Sequence, residues 1–442
     1  MKRILSIILS LVLVLTIFSA DGLLKKNEVQ ARSELRGIWI GYPDFNGLGL
    51  CDKSEYVFRE NTKNILKTAK YYGTNTVYFH VRAFDDASWI SPTFKPSRFL
   101  TSKSKFTYDP LQIFIEETHK LNMELHAWMN PYRITHNTYY NPAKAASTTR
   151  ITTAINEVLK YDVDGIHFDD YFYHAKKYYK DPLTGSNIKA SSKPSAAKRR
   201  ANCNVMIKAA YSTTHAKPGV IFGISPAGNV ENCMSGGADV VEWLQNTGYI
   251  DYIAPQIYWT DNWGSDGKTK MFSNRLAQWK ALNINRTNMY IGLALYRTGQ
   301  KSPDDKGWAK RNTNIRTQVG KLRNAGMNGY IIFSSMDLYD KHASKERYKL
   351  KGLVKPIKAK SIKFPKKKVV IRLKTKPTFK VKFTPTDTNP KTVKYKSSNT
   401  KIATVNSKGK ITPKKKGKVT ITAKTPNGKT AKLKVTIKKA KK

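Results

Sequence analysis

Cysteine is scarce in this sequence: Cys51, Cys203 and Cys233 are the only three among 442 residues. An odd and small number excludes the disulfide framework on which many small exported domains depend, although one bridge stays open. The spacing of the three residues does not match a zinc site. No His and Asp residues cluster at metal-ligand spacing, and no G-x-G-x-x-G motif follows the first β segment. We therefore predict neither a metal nor a cofactor.

Long hydrophobic runs are also missing, apart from one at the N-terminus. Two basic residues precede the short apolar run Ile4–Phe18, a pattern that predicts a signal peptide over residues 1–31. Cleavage after Ala31 is favoured over cleavage after Ala20, because Val29 and Ala31 supply the small residues that signal peptidase requires. An uncleaved anchor is the alternative. We expect a secreted, cell-wall-associated protein with no membrane contact after cleavage.

Acidic residues are almost absent from the C-terminal part of the chain. Residues 357–442 carry 29 lysines and arginines against one acid, Asp387, which gives +28 of the chain's net charge of +48. Such a charge predicts an anionic partner. Exported proteins rarely meet nucleic acid, and no aromatic residues are interleaved for base stacking. The predicted partner is an anionic cell-wall polymer and not nucleic acid; lysine that serves solubility alone is the other interpretation.

The rest of the chain alternates between β segments and amphipathic helical patterns. This strict alternation over about 310 residues predicts an α/β fold, a (β/α)₈ TIM barrel that spans residues 34–355. An open doubly wound sheet is the competing fold, and it lacks the glycine motif expected after its first strand. The predicted β segments are 35–45, 75–84, 124–133, 165–173, 220–229, 252–259, 289–297 and 329–339.

The pattern changes near Ile357, where helical periodicity ends. Short alternating segments such as TFKVKF and KVTITAK follow, separated by Gly-Lys and Asn-Gly turns. They predict a small all-β immunoglobulin-like sandwich over residues 357–442, joined to the barrel at Lys355-Pro356.

Catalytic residues of such a barrel project from the C-terminal ends of its strands. The segment VDGIHFDDYFYH (163–174) places Asp169 and Asp170 at the end of the fourth strand. If His167 faces the barrel axis, alternation turns Asp169 the same way. We therefore predict Asp169 as general acid or nucleophile and Asp170 as its partner or a substrate clamp, with one pKa raised by the other carboxyl. Alternatively, either residue caps a helix or pairs with a rim arginine.

Aromatic and polar residues follow the other predicted strand ends. Flat rings stack on the apolar faces of sugars, while amides and guanidinium groups bind hydroxyl and carboxylate groups. Arg82 could instead neutralise an interior carboxylate, and His80 and His126 are interpreted as core residues. Asp44, Asp86, Asp261 and Asp337 are further catalytic candidates. The predicted substrate-binding residues are Trp39, Arg82, Trp128, Asn130, Tyr132, Arg133, Tyr171, Gln256, Tyr258, Trp259 and Arg297.

Several long motifs resemble a known family. LRGIWIGY, YDPLQIFIEETHKLNMELHAWMNPYR, DGIHFDDYFY, GISPAGN and PQIYW, in this order, resemble the glycosyl hydrolase-like family ten barrels over Glu34–Lys355. The resemblance implies a glycoside hydrolase of bacterial envelopes that acts on peptidoglycan strands without stem peptides. It also implies an acidic residue at the D-G-I-x-F-x-D-D tip, here Asp169 or Asp170. Compared more loosely with chitinase-type barrels, Tyr171 stands where their catalytic glutamate falls.

The tail also resembles a known module. VKYKSSNTKIATVNSKGKITPKKKGKVTITAK is similar to bacterial immunoglobulin-like group 2 domains, which implies a spacer or an adhesion unit. Three functions follow from the whole sequence. The favoured one is a hydrolase of wall glycan; the others are a non-catalytic carbohydrate-binding wall protein and a hydrolase of a non-wall polysaccharide.

Overall fold

The computed structural model describes residues 34–173, 178–180, 187–188, 194–309, 313–353, 359–384 and 393–439. The predicted signal peptide and the predicted linker at Lys355-Pro356 lie outside these residues. The chain divides into two compact units between Leu353 and Val354. None of the helices in the described ranges is long and apolar enough to cross a membrane.

The first unit contains eight parallel strands that close into a barrel in sequence order. The predicted (β/α)₈ barrel is therefore confirmed. The strands are β1 Leu35–Ile40, β2 Thr76–Arg82, β3 Glu124–Met129, β4 Gly165–Phe168, β5 Ile221–Ile224, β6 Tyr252–Ile253, β7 Asn288–Ala294 and β8 Gly329–Phe333. A two-stranded sheet (86–87 and 95–96) and a three-stranded sheet (138–140, 178–180 and 187–188) occupy the connections.

Amphipathic helices follow the strands. The first helix begins after Ser54, whose hydroxyl accepts a hydrogen bond from the Val57 amide, and it buries Phe58, Ile65 and Leu66 in the barrel core. That spacing places one apolar face against the strands. The helices are α1 Glu55–Tyr71, α2 Pro110–Lys120, α3 Ala145–Val158, α4 Ala196–His215, α5 Val230–Ser235, α6 Val240–Gln245, α7 Met271–Leu282, α8 Asn314–Asn324 and α9 Ser344–Leu350.

The second unit consists of short strands around its own apolar core. Its sheets pair β9 with β11, β13 with β14, and order four strands as β10-β16-β15-β12. The predicted all-β immunoglobulin-like fold is confirmed. The strands are β9 Ser361–Lys363, β10 Lys368–Arg372, β11 Lys382–Thr384, β12 Lys394–Ser397, β13 Ala403–Val405, β14 Ile411–Pro413, β15 Gly417–Lys424 and β16 Thr430–Lys438.

Aromatic rings occupy much of the barrel interior, where they pack with a few aliphatic side chains such as Leu35 and Ile331. Trp39 donates its indole N–H to His167 Nε2 at 3.2 Å, and both His167 Nδ1 and His126 Nδ1 lie within hydrogen-bond distance of the Tyr252 hydroxyl, at 2.9 and 2.8 Å. Because an indole can only donate, His167 Nε2 accepts and its Nδ1 carries the proton. Burial holds the pKa of His167 well below its usual value, so the ring stays neutral. This network fixes β4 just before the aspartate pair.

Glycines make room for these rings. A Cβ atom on Gly223 would lie 2.2–2.4 Å from the Tyr252 ring, and one on Gly165 would lie 2.7–2.8 Å from the His126 ring. Both distances are far below van der Waals contact, so a side chain at either position displaces a ring from the hydrogen-bonded network.

We expect Gly223→Ala to lower the free energy of unfolding by about 1–3 kcal/mol or more, because the added methyl group overlaps the Tyr252 ring. Gly320→Ala is the matched control. Gly320 lies on the exposed side of α8 with open space at its Cβ position, so this change leaves stability equal or raises it by roughly 0.5–1 kcal/mol. Urea unfolding of both variants measures the difference, and equal stabilities would contradict the packing argument.

Candidate active site

Asp169 and Asp170 follow directly after β4, at the C-terminal mouth of the barrel. The backbone amide of Asp169 donates to Met129 O at the end of β3, 3.2 Å away. Asp169 Oδ1 accepts two hydrogen bonds, from Gln256 Nε2 at 3.0 Å and from the Asp170 backbone amide at 2.9 Å. The Gln256 amide also donates to Ser225 O at 2.9 Å. Residues that follow β3, β5 and β6 therefore fix the position of one carboxylate.

The two carboxyl groups hydrogen-bond to each other; Asp169 is 7% exposed, and Asp170 is half-buried. Burial raises the pKa of Asp169, and the two N–H donors on its Oδ1 oppose that rise. Burial and the adjacent Asp169 charge together raise the pKa of Asp170 well above its usual value. Burial and the closeness of the two carboxyl groups therefore both favour retention of a proton by the pair.

Arg133 supplies the positive charge that opposes these rises for both aspartates. Its guanidinium carbon lies 4.3 Å from the Tyr171 ring centroid and 4.5 Å from that of Phe84. Its Nη2 donates to His136 Nδ1 at 2.9 Å. The side chain is only 5% exposed, so its charge is weakly screened by solvent.

Rings lie on two sides of the opening, and all of them except the buried Tyr139 are partly exposed. Tyr171 and Tyr139 lie nearly parallel, with centroids 6.4 Å apart, beside the end of β4. After β6, Tyr258 lies nearly parallel to Phe333 at 6.1 Å. Burial, followed by the Asp169 charge, raises the pKa of Tyr258 well above its usual value. Trp259, Trp263 and Tyr296 extend this second group of rings.

Four predicted sugar-binding residues are buried and do not line the opening. Trp39 is 2% exposed and belongs to the interior network, and Trp128 stacks on His80 with centroids 3.8 Å apart. Tyr132 is fully buried and contacts the Phe172 ring edge-on. Asn130 is also fully buried and donates to Ala83 O at 2.7 Å. Alternation along a strand predicts which way a side chain points, but not its depth in the barrel.

The predicted arginines divide between inner and outer positions. Arg82 is 1% exposed, donates to Asn130 O and Pro131 O, and pairs with Asp85 at 2.7 Å. This geometry agrees with the second interpretation of Arg82, in which it neutralises an interior carboxylate. Arg297 is partly exposed and donates to Tyr258 O at 2.9 Å, so it supports the loop that carries Tyr258.

The four other candidate acids have local partners. Asp44 accepts from Ser335, Asp86 from the Phe84 amide, and Asp261 from Ser273. Asp337 accepts from the Ser334 amide at 2.8 Å, and burial raises its pKa to about 6. None of these partners belongs to the Asp169–Asp170 pair.

One cluster was not predicted. Asp337, Asp340 and His342 bring potential metal-ligand atoms within 4.8 Å of one another, whereas the sequence analysis found no such grouping at ligand spacing. Their separation along the chain, D-x-x-D-x-H, could have revealed it. The three cysteines are unbonded.

Comparison with known proteins identifies the family. Residues 34–139 and 133–310 match the model of the glycosyl hydrolase-like 10 family. The chain belongs to this family. Residues 358–436 match the bacterial Ig-like domain (group 2). Both predicted resemblances are therefore confirmed, and the barrel is a glycosidase of the glycosyl hydrolase-like 10 family.

Curated relatives agree with this assignment. Glycosyl hydrolase YngK of Bacillus subtilis (strain 168) is 32% identical over 368 residues, which cover 70% of this chain and 69% of that protein. Glycosyl hydrolase DigH of Escherichia coli (strain K12) is 29% identical over 344 residues, which cover 63% of this chain and 77% of that protein.

Among solved structures, the endo-1,4-beta-mannanase from Rhizomucor miehei superposes with a TM-score of 0.50 at 13% identity. The match covers 73% of this chain and 95% of that one. At this identity the match shows a shared barrel fold.

Sequence reasoning missed Tyr139, Phe84 and Trp263. All three lie in connections after the strands, where alternation no longer indicates direction. The recurrence of aromatic residues in TYY (138–140) and in YWTDNW (258–263) was the available signal.

Replacing Arg133 should raise the pKa values of the aspartate pair, because its positive charge favours the ionised carboxylates. We expect Arg133→Met to move the titration of the pair to higher pH, whereas Arg133→Lys keeps the charge and moves it much less. Carboxyl-carbon NMR of aspartate-labelled protein follows both titrations. A downward shift in Arg133→Met, or equal shifts in the two variants, would remove Arg133 from this role.

Proposed function

We propose that this family member is an exported glycoside hydrolase that cleaves a bacterial cell-wall glycan, namely peptidoglycan strands that lack stem peptides. The observation that carries the proposal is the pair of adjacent carboxyl groups, both with raised pKa values, between two groups of rings at the barrel mouth. An acid with a raised pKa can donate a proton near neutral pH. Rings on both sides fit a chain of sugars.

The closeness of the two carboxyl groups limits the mechanism. Glycosidases that use one carboxyl as acid and another as nucleophile or base separate them by roughly 5–5.5 or 6.5–9.5 Å. Asp169 and Asp170 hydrogen-bond directly to each other, so they do not flank a glycosidic bond in that way. They act as one unit on one side of the bond, and the nucleophile comes from another source.

An N-acetylated sugar provides that nucleophile itself. Asp170 donates its proton to the glycosidic oxygen as the bond from that oxygen to the anomeric carbon breaks. The acetamido oxygen of the same sugar forms a bond to the anomeric carbon, and the Asp169 carboxylate stabilises the positive charge that develops on the acetamido group. Water then attacks the anomeric carbon, the ring intermediate opens, and a proton returns to Asp170. Both sugars of peptidoglycan strands are N-acetylated.

Several predicted residues fit the binding of such a strand. Tyr171, Tyr258 and Trp259 offer partly exposed rings to the apolar faces of sugars, and Gln256 holds the ionised aspartate in place. Arg133 tunes the pair, and Arg297 supports Tyr258.

The proposal also includes where the protein acts and how it is retained there. The N-terminal pattern of residues 1–31 supports export as a signal peptide, and the charge of residues 357–442 supports attachment to an anionic wall polymer. The two bacterial glycosyl hydrolases to which the barrel is similar are in keeping with action on a bacterial glycan.

Removing either carboxyl group should strongly reduce turnover. We expect Asp170→Asn and Asp169→Asn to lower kcat by about 10²–10⁴ on peptide-free glycan strands, because each removes one half of the acid pair. Asp162→Asn is the control: this side chain is 88% exposed and lies before β4, so its loss leaves kcat unchanged. Mass spectrometry of released fragments measures turnover. If wild-type protein binds the strands and releases no sugar, the chain is a carbohydrate-binding protein.

The acetamido group should be required for cleavage. We expect de-N-acetylated strands to be cut at least about 10³-fold more slowly than N-acetylated strands of equal length, because an attacking group held within the substrate is lost. NMR of the first product formed should show retained anomeric configuration. Equal rates on both strands, or inversion, would exclude this mechanism. The asparagine variants would still test separately whether the pair acts as the acid.

A further inference from the structure

The four-stranded sheet of the second unit has two different faces. Along β16, Leu433, Val435 and Ile437 are buried, whereas the residues between them point away from the core. The same alternation holds along β15, where Val419 and Ile421 are buried. The opposite face of the sheet is not part of the core.

That outer face is strongly cationic. Nine of its side chains are basic, and all nine are exposed. They are Lys368, Arg372, Lys394, Lys396, Lys418, Lys424, Lys432, Lys434 and Lys438. We call this set the lysine face.

Strand register brings these cations into rows across the sheet. Lys368 is paired with Lys434, and Arg372 with Lys438. Lys394 is paired with Lys424. Because neighbouring strands lie about 4.8 Å apart and alternate residues of one strand about 6.8 Å apart, the positive charges form a continuous array over all four strands.

Nothing among the described residues neutralises this array. No lysine of the face forms an ion pair within the described part of the chain, and Arg372 donates only to Lys439 O, at 3.3 Å. Asp387 is the single acid of residues 357–442. Like charges on paired strands repel and cost stability, so the array favours a ligand that carries many negative charges.

The remaining side chains of the face restrict the class of ligand. They are Thr420, Thr422, Thr430, Thr436 and one exposed apolar residue, Val370. The face contains no aromatic ring to stack on a neutral sugar or a nucleobase, and too little apolar surface to enter a lipid bilayer. Threonine hydroxyls between lysines add hydrogen-bond donors for anionic oxygen atoms.

We propose that the lysine face is a docking surface for a linear, densely charged polyanion, which binds across the four strands through its phosphate or carboxylate groups. The proposal deepens the attachment to an anionic wall polymer and rests on that part of the proposed function. It does not depend on the chemistry of the barrel. Absence of polymer binding would therefore not argue against sugar release, and absence of sugar release would not argue against polymer binding.

The test compares two variants of the mature full-length protein with equal loss of charge. The first replaces four residues of the face: Lys396→Gln, Lys418→Gln, Lys432→Gln and Lys434→Gln. The second replaces four exposed lysines outside the four-stranded sheet: Lys401→Gln, Lys408→Gln, Lys410→Gln and Lys415→Gln. Binding to long-chain inorganic polyphosphate and to polygalacturonate is measured over a range of salt concentrations, and the two polymers distinguish phosphate from carboxylate ligands.

We expect the wild-type protein to bind at least one of the two polymers and to lose affinity as salt rises. The face variant should bind about tenfold more weakly or worse, because four contacts in one array are lost, while the control variant changes about twofold or less. Equal losses in both variants would overturn the proposal, since diffuse charge would then explain binding. Binding to phosphatidylglycerol vesicles or duplex DNA, with no binding to either polymer, would also overturn the proposal. Turnover of short soluble glycans should stay unchanged in both variants.

Discussion

A single carboxylate oxygen, Asp169 Oδ1, organises the site. It accepts N–H groups from Gln256 and from the backbone of Asp170, and the first of these bonds connects the ends of β4 and β6. Both bonds also separate two otherwise equivalent acids. The donors favour the ionised form of Asp169, whereas the adjacent charge of Asp169 helps to raise the pKa of Asp170. An acid–base asymmetry thus arises between adjacent residues of one chain segment, without help from a distant carboxylate.

The barrel beneath the site is built to keep that geometry. Neutral imidazole, indole and phenol groups are hydrogen-bonded to one another inside it, where aliphatic side chains would pack with less orientation. His167 belongs to this network and precedes Asp169 by two residues. The rings determine the direction of β4, and the direction of β4 determines where the aspartates enter the mouth.

Much of the fold followed from the sequence, because eight repeats of strand and helix allow few arrangements. The strand-four acids were also predictable, since alternation carries His167 and Asp169 to the same side. Depth was not predictable: Trp39 points into the barrel as expected but is buried there, and Tyr132 is buried against Phe172. The difference between the surroundings of the two carboxyl groups was equally hidden, because it depends on Gln256, a residue 87 positions away from Asp169. Rings in connections, such as Tyr139, escaped the strand pattern altogether.

The close approach of Gly223 to Tyr252 has an evolutionary consequence. A larger residue at position 223 fits only if position 252 loses its ring, and that loss removes the hydroxyl shared by two histidines. The two positions, on neighbouring strands, are thus expected to covary among relatives. Divergence in this part of the barrel would proceed by paired exchange, and single substitutions there would be selected against even where they leave every group at the mouth in place.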